Sequence, residues 1–237
     1  MKLIVTLGPA TRTLDDLKRL KDRGVSFVRL NMSHSSLEDL AECLEKARAI
    51  DLPFVIDTEG SQVRTGFLRR KTIALEEQDT VRIYADRIIG DGKQFCLTPG
   101  YVTGLLQEGD LLHIDFDTAI LRVCDLSTLN KGYVLAKAVS GGAVGQNKAV
   151  IIDQVFDRKI TMPVLTEKDH KAIALGRQAG VRHVAVSFVR SAACLDEVRR
   201  VTVGTMEIIS KIECLDALKN LDEILAGTDF VLIDRGT

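Results

Sequence analysis

The stretch HVAVSFVRSAACLDEVRRVTVGTMEIISKIE, residues 183–213, decides the fold class of this 237-residue chain. It contains two apolar, β-branched runs, HVAVSFV (183–189) and EIISKIE (207–213), separated by an amphipathic, charge-rich segment. Because these runs show little alternation of apolar and polar residues, they are typical of parallel strands buried on both faces. The stretch therefore predicts a strand–helix–strand unit of an α/β protein.

The same pattern recurs along the rest of the chain. Further runs of this kind are KLIVTLG (2–8), SFVRLNM (26–32), PFVIDTEG (53–60) and DFVLIDRG (229–236). Helix-start signals stand between them at residues 13–16, at Ser35 or Ser36 and at residues 166–169, and an amphipathic segment at 214–226 predicts a last helix. Repeated units of this kind predict either a doubly wound sheet or a (β/α) barrel.

The spacing of the strands locates an insertion. The strand centres are Val5, Val28, Val55, Val186, Ile209 and Leu232, at intervals of 23, 27, 131, 23 and 23 residues. The long interval contains short alternating runs separated by glycine-rich turns, a pattern typical of all-β structure. We therefore expect residues 1–66 and 161–237 to form the α/β domain. Residues 67–160 should form an inserted β-rich domain, after the third strand, that acts as a lid.

Composition restricts the classes of function. The 32 basic and 33 acidic residues nearly balance, which argues against a nucleic-acid or anionic-membrane binder. No apolar stretch approaches the roughly 20 residues of a membrane span. The five cysteines are scattered, without a C-x-x-C pair, as expected of free thiols in a reducing compartment. The composition predicts a cytosolic protein.

Polar residues at the strand ends are the candidate site, because parallel α/β folds bind ligands there. Lys211 and Glu213 are two apart and should face the same way, which suits a divalent cation beside an anionic substrate or a simple ion pair. Arg29, Asn31 and Ser33 are expected to share a face of the second strand, either as ligands or as caps.

Other polar groups are less specific. Asp57-Thr58 fits a ligand pair or an Asx turn, and His34 fits a residue at a helix entry. Gly141–Gly145 with Lys148 suits an anion cradle or a β-turn. Neither a G-x-G-x-x-G fingerprint nor a P-loop is present, so a Rossmann dehydrogenase or a P-loop enzyme is unsupported.

Eight segments, in order along the whole chain, resemble the pyruvate kinase family. They are TLGPATRT (6–13), RLNMSH (29–34), DTEGSQVRTG (57–66), GGAVGQNKAV (141–150), MPVLTEKDHKAIALG (162–176), SFVRSA (187–192), IISKIE (208–213) and DFVLIDRGT (229–237). The resemblance implies a TIM-type (β/α)₈ barrel with a lid domain inserted after the third strand. Six of the eight βα units are recognisable here, so the barrel is expected to be incomplete.

The resemblance also implies an activity, the transfer of the phosphoryl group of phosphoenolpyruvate to ADP with Mg²⁺ and K⁺. Its implied catalytic residues are Lys211 and Arg29, and its implied substrate-binding residues are Arg29, Lys211, Gly236 and Thr237. The implied nucleotide-binding residues are Asn31, His34, Arg64 and Lys148. The implied metal ligands are Glu213 and Thr237 for Mg²⁺, and Asn31, Ser33, Asp57 and Thr58 for K⁺.

Departures from the family pattern leave alternatives open. Thr237 stands where the family has a second Mg²⁺ carboxylate, and Gln62 stands where a glutamate accompanies K⁺ dependence, so the K⁺ requirement is open. An incomplete barrel exposes strand edges, which suggests a fragment of a longer chain, a homo-oligomer or an altered closure. The alternative functions are a non-catalytic binder of phosphoenolpyruvate or nucleotide, and a Mg²⁺-enolate lyase.

Overall fold

The protein divides into two compact units. The computed structural model describes residues 2–115, 117–155, 160 and 162–233, and the side chain of residue 215 is outside the description. The first unit comprises Met1–Ser61 and Pro163–Thr237, and the second unit comprises Gln62–Met162. The predicted site residues Gly236 and Thr237 lie outside the described residues.

The elements are numbered in chain order. The strands are β1 (Ile4–Thr6), β2 (Phe27–Asn31), β3 (Phe54–Asp57), β4 (Arg64–Thr65), β5 (Thr72–Leu75), β6 (Thr80–Tyr84), β7 (Gln94–Thr98), β8 (Leu111–Ile114), β9 (Ala119–Asp125), β10 (Tyr133–Ser140), β11 (Gly142–Gly145), β12 (Val150–Asp153), β13 (His183–Val186), β14 (Glu207–Lys211) and β15 (Phe230–Leu232). The α-helices are α1 (Leu14–Asp22), α2 (Leu37–Ala49), α3 (Glu167–Gln178), α4 (Ala192–Thr202), α5 (Leu215–Lys219) and α6 (Leu221–Gly227).

The first unit is built on a parallel sheet whose strands are neighbours in the order of the chain. The six-stranded sheet has the order β1-β2-β3-β13-β14-β15, and every neighbouring pair is parallel. Helices connect successive strands in the described part of this unit, with α4 between β13 and β14. The α/β class predicted from the apolar runs is therefore confirmed.

Three helices of this unit begin where capping signals predict. Thr13, Ser36 and Thr166 each accept a hydrogen bond from the backbone N–H three residues later, and an aspartate at that later position bonds back. The single helix predicted at 214–226 is wrong, because two short helices meet there at Asn220. The Asn220 side chain donates a 2.8 Å hydrogen bond to the carbonyl of Arg190 at this break.

The two faces of the parallel sheet differ because side chains alternate along each strand. One face, which includes Leu30, Ile56 and Val184, is buried together with apolar residues of the helices. On the opposite face, called here the inner face, Val55, Ala185 and Ile209 form a small apolar cluster. Two residues further along, the inner face becomes polar, and this step places Asp57, Ser187 and Lys211 beside one another.

The second unit is a β structure, as the alternating runs predict. It contains a seven-stranded sheet in the order β12-β8-β9-β10-β6-β7-β4 and a two-stranded sheet of β11 and β5. Residues 142–145 form strand β11, paired antiparallel with β5, so the β-turn predicted for them is wrong. A Cβ atom at Gly142 would lie 1.6 Å from the carbonyl oxygen of Thr118, so close backbone approach requires glycine there.

Candidate active site

Parallel register brings the candidate residues to one edge of the first unit. Asp57 is aligned with Asn31 of β2 on one side and with Ala185 of β13 on the other. Ala185 is in turn aligned with Ile209 of β14, two residues before Lys211. Because parallel strands end at the same edge of the sheet, polar side chains from β2, β3, β13 and β14 converge there.

Lys211 lies at the centre of this polar edge. Its side-chain nitrogen, Nζ, lies 3.1 Å from Glu213 Oε1 and 3.3 Å from Asp57 Oδ1, and it donates a 3.1 Å hydrogen bond to Ser187 Oγ. The residue is only 4% exposed. The expected proximity of Lys211 and Glu213 is thus observed, although β14 ends at Lys211 and Glu213 lies two residues beyond it.

Arg29 adds a second positive charge to this group. Its Nη1 atom lies 3.6 Å from Asp57 Oδ2, and its Nε donates a 2.9 Å hydrogen bond to Thr6 Oγ1 on β1. The desolvation of buried ion pairs offsets most of their attraction, so such a cluster is weak evidence for stability. A cluster of charges with a perturbed pKa at strand ends instead indicates a functional site.

Asp57 is the most deeply buried charge of the group, with no exposed surface. Burial raises the pKa of Asp57 to about 6, although the charges of Lys211 and Arg29 act in the opposite direction. Within the described residues neither carboxylate oxygen accepts a hydrogen bond, which argues against the Asx-turn alternative. These oxygens are therefore suited to hold a cation.

The other expected monovalent-cation ligands lie at the same strand ends but are engaged locally. Asn31 Oδ1 accepts a 2.8 Å hydrogen bond from the N–H of Ser33, which caps the short 3₁₀ helix Met32–His34. Ser33 therefore lies in that helix, and its expected place on the second strand is wrong. The Thr58 carbonyl accepts a 2.6 Å hydrogen bond from Ser187 Oγ. Each of these oxygens keeps a second lone pair for a cation.

Glu213 is the described carboxylate best placed for a divalent cation. Its Oε2 atom accepts a 3.0 Å hydrogen bond from the N–H of Phe188, which fixes the carboxylate beside Lys211. Hard oxygen ligands of this type suit Mg²⁺. In the described part of the chain, however, no group of three or more His, Cys, Asp or Glu side chains could hold a metal. Glu213 therefore fits as one Mg²⁺ ligand, not as a complete set.

Asp169 is a site residue that sequence reasoning missed, because its position predicts only a helix cap. The side chain is fully buried, and its Oδ1 atom accepts a 2.7 Å hydrogen bond from the N–H of Glu59. Its Oδ2 atom accepts bonds from the N–H groups of Gly60 (3.0 Å) and Thr166 (3.0 Å). Asp169 thus fastens the loop that follows β3 to the first turn of α3.

An open surface depression of about 540 Å³ lies at the start of α2 and is lined by residues 33–38 and Lys168. It includes His34, one of the expected nucleotide-binding residues. Lys168 forms a 3.1 Å ion pair with Glu59 and also donates a hydrogen bond to the carbonyl of Met32. This ion pair joins α3 to the loop after β3 and places opposite charges beside the depression.

The two expected site residues of the second unit are close to each other. Arg64 donates a 3.0 Å hydrogen bond to the carbonyl of Asn147, next to Lys148. The backbone N–H of Lys148 donates a 2.9 Å bond to Thr65 Oγ1, and its Nζ lies 2.9 Å from Asp115 Oδ2. The structure therefore brings Arg64 and Lys148 together within this unit and pairs Lys148 with a carboxylate.

Comparison with known proteins identifies the family. The family model described as "Pyruvate kinase, barrel domain" matches residues 1–237. The pyruvate kinases of Methylorubrum extorquens and Aeropyrum pernix are each 30% identical, covering 99% and 100% of this chain and 49% and 51% of their own. A probable cytosolic pyruvate kinase isozyme of Arabidopsis thaliana is 31% identical, over 99% of this chain and 49% of its own. The chain spans about half the length of these relatives, and it belongs to the pyruvate kinase family.

Proposed function

We propose that this chain carries the phosphoryl-transfer site of a pyruvate kinase, converting phosphoenolpyruvate and ADP to pyruvate and ATP. The observation that supports this most strongly is the buried Lys211 ammonium between Asp57 and Glu213, with Arg29 alongside. A barrel needs no such charge cluster for stability, whereas phosphoryl transfer requires fixed positive charge at the reacting group.

The proposed chemistry assigns a role to each charge. Arg29 binds the phosphoryl group, and Lys211 stabilises the negative charge on the phosphoryl and enolate oxygens during transfer. Glu213 would hold Mg²⁺, with Gly236 and Thr237 completing the substrate side of the site. Bound Mg²⁺ supplies further positive charge that neutralises the phosphoryl oxygens. Asp57 would hold K⁺ together with Asn31, Ser33 and Thr58.

The nucleotide-binding residues of this proposal are those that the family resemblance implies. Asn31 and His34 would contact ADP, and His34 lines the open depression at the start of α2. Arg64 and Lys148 would contribute positive charge toward the ADP phosphates. In this proposal residues 67–160 act as a lid domain, and residues 1–66 with 161–237 supply six βα units of a (β/α) barrel.

The proposed location and partners rest on the same relatives. No helix within the described ranges combines the length and the apolar composition that crossing a bilayer requires. One relative is named as a cytosolic isozyme. We propose a cytoplasmic location, small-molecule substrates, and either a homo-oligomer or a longer chain of which this is a part.

Phosphoenolpyruvate-dependent ATP formation, measured with Mg²⁺ and K⁺, tests the proposal. The measurement compares the chain with Lys211→Met and with a matched surface control, Lys18→Met, and intact mass and solution molecular weight are recorded on the same samples. Lys18 is half exposed and pairs only weakly with Asp15 at 3.7 Å, so its replacement should leave turnover unchanged. Lys211→Met should reduce turnover about 100- to 1,000-fold, because the charge at the reacting group is lost.

Three other outcomes would redirect the proposal. Phosphoenolpyruvate binding without turnover would indicate the non-catalytic binder. Substrate turnover that needs no ADP would indicate the Mg²⁺-enolate lyase. Equal turnover by the chain and by Lys211→Met would remove Lys211 from the mechanism.

A further inference from the structure

We propose that Ser187 is a positioning residue for the phosphoryl-transfer step, because its hydroxyl fixes the direction of the Lys211 ammonium. The inference rests on the proposed function and deepens it. Ser187 is 3% exposed, and its Oγ atom contacts both Lys211 Nζ (3.1 Å) and the Thr58 carbonyl oxygen (2.6 Å). The hydroxyl therefore connects the expected K⁺ ligand Thr58 with the expected catalytic lysine.

The Ser187 hydroxyl has one hydrogen, so it can donate in only one of its two contacts, with Thr58 or with Lys211. The Thr58 carbonyl oxygen can only accept, so the hydrogen lies on the short 2.6 Å contact to Thr58. The lone pairs of Oγ then face Lys211, whose ammonium group donates to them. The hydrogen-bond count thus makes Ser187 an acceptor for Lys211 with a direction that Thr58 fixes.

Ser187 differs in charge from the other described partners of Lys211. Asp57 and Glu213 are carboxylates, and each is also a proposed cation ligand, so a bound cation competes with Lys211 for them. The Ser187 hydroxyl is neutral and does not face this competition to the same degree. It can therefore hold the ammonium in place when the carboxylates bind cations. The reaction requires this fixed position of the ammonium.

The backbone around Ser187 is held firmly enough for this role. Its N–H donates a 3.0 Å hydrogen bond to Thr58 Oγ1, so Ser187 donates two hydrogen bonds to Thr58, one from its backbone and one from its side chain. The next residue, Phe188, has a left-handed backbone (φ 54°), and its N–H binds Glu213 at 3.0 Å. Strained backbone of this kind persists where its surroundings determine it, and it is enriched at functional sites.

The experiment compares Ser187→Ala and Ser187→Thr with a matched control, Ser191→Ala. Ser191 lies four residues later, at the start of α4, and its hydroxyl contacts only the Cys194 thiol, at 3.8 Å, among the described side chains. For each variant, kcat and the phosphoenolpyruvate KM come from ATP formation. Calorimetry gives the phosphoenolpyruvate Kd with Mg²⁺, and a thermal melt gives Tm.

A positioning role predicts a separation of these parameters. Ser187→Ala should lose about 10- to 100-fold in kcat, while KM and Kd change by less than about threefold. Ser187→Thr retains the hydroxyl and should recover most of kcat. Ser187→Cys, which has nearly the shape of serine but a weak acceptor, should resemble the alanine variant. Ser191→Ala should match the unmodified chain.

Other results would overturn the inference. A kcat within twofold of the unmodified chain in Ser187→Ala, or full activity in Ser187→Cys, would show that the hydroxyl does not direct Lys211. A lowered Tm with unchanged kcat and KM would show a purely structural role. If the unmodified chain neither binds phosphoenolpyruvate nor forms ATP, the proposed function itself fails, and this result is distinct because it precedes any comparison of variants.

Discussion

Asp169→Asn should destabilise the first unit, because it disrupts the buried contact between α3 and the loop after β3. The carboxylate accepts hydrogen bonds from the N–H groups of Glu59, Gly60 and Thr166, and it has no exposed surface. An asparagine amide keeps one acceptor oxygen and replaces the other with a donor. At least one backbone N–H of this set therefore loses its acceptor and faces a second donor.

The size of this loss follows from the contacts. A hydrogen bond to a charged acceptor contributes about 1.5–3 kcal/mol, and a buried donor left without an acceptor costs about 1–3 kcal/mol. The two effects describe partly the same loss, so they do not add in full. The expected decrease in the free energy of unfolding is therefore about 2–4 kcal/mol. Hydrogen exchange at the amides of Glu59 and Gly60 should also become faster.

Asp16→Asn is the matched control. Asp16 occupies the same capping position of α1 and bonds back to Thr13, but it is 18% exposed and has no bond to a distant loop in the described chain. Asp16→Asn should lower the free energy of unfolding by about 1 kcal/mol or less.

The protein contains no tryptophan, so urea unfolding is followed by far-ultraviolet circular dichroism. The described α-helices all belong to the first unit, so this signal reports on that unit. Equal losses in the two variants, or a loss below about 1 kcal/mol in Asp169→Asn, would refute the reasoning.

Three further predictions concern single positions. Gly60 has φ +66°, and a Cβ there would lie 2.8 Å from a neighbouring side-chain carbon. Gly60→Ala should therefore lower the free energy of unfolding by about 1–3 kcal/mol. An unchanged midpoint of urea unfolding would contradict this. Burial lowers the pKa of His183, more than its ion pair with Glu207 raises it, so protonation disfavours the folded state. Stability should therefore fall as pH drops below the ordinary histidine pKa of about 6.5, and His183→Gln should flatten this dependence in melts across that range. Thr237→Asp should raise Mg²⁺ affinity in a titration if position 237 shares the ion with Glu213, and an unchanged affinity would show that it does not.

Most of the fold of the first unit could be predicted from local patterns. Apolar runs mark the six strands of the parallel sheet, although the outer strands β1 and β15 are largely exposed. The capping aspartates mark helix starts within one residue. The break at Asn220 could not be predicted, because the amphipathic pattern continues through it and the contact with Arg190 joins residues distant in sequence. The need for glycine at position 142 could not be predicted either, because it comes from the close approach of Thr118, which is distant in sequence.

The candidate site divides in the same way. Arg29 interrupts the apolar run of β2, and Asp57 and Lys211 end those of β3 and β14, so their chemistry is visible in the sequence. Ser187 also ends an apolar run, but a serine there carries no charge to draw attention to it. The contacts of Asp169 with Glu59 and Gly60 span about 110 residues and leave no local signal. Partners of this kind emerge only when the chain is folded.

The central claim is that the buried group of Arg29, Asp57, Lys211 and Glu213 binds phosphoenolpyruvate. Calorimetric titration with phosphoenolpyruvate in the presence of Mg²⁺ tests it most directly, on the chain, on Arg29→Met and on the surface control Arg19→Met. Arg19 is mostly exposed and pairs with its helix neighbour Asp16, so its loss should not alter binding. We expect saturable binding that weakens about tenfold or more in Arg29→Met only, since a charge-assisted contact is lost. Absence of binding to the unmodified chain, or equal binding by all three proteins, would contradict it.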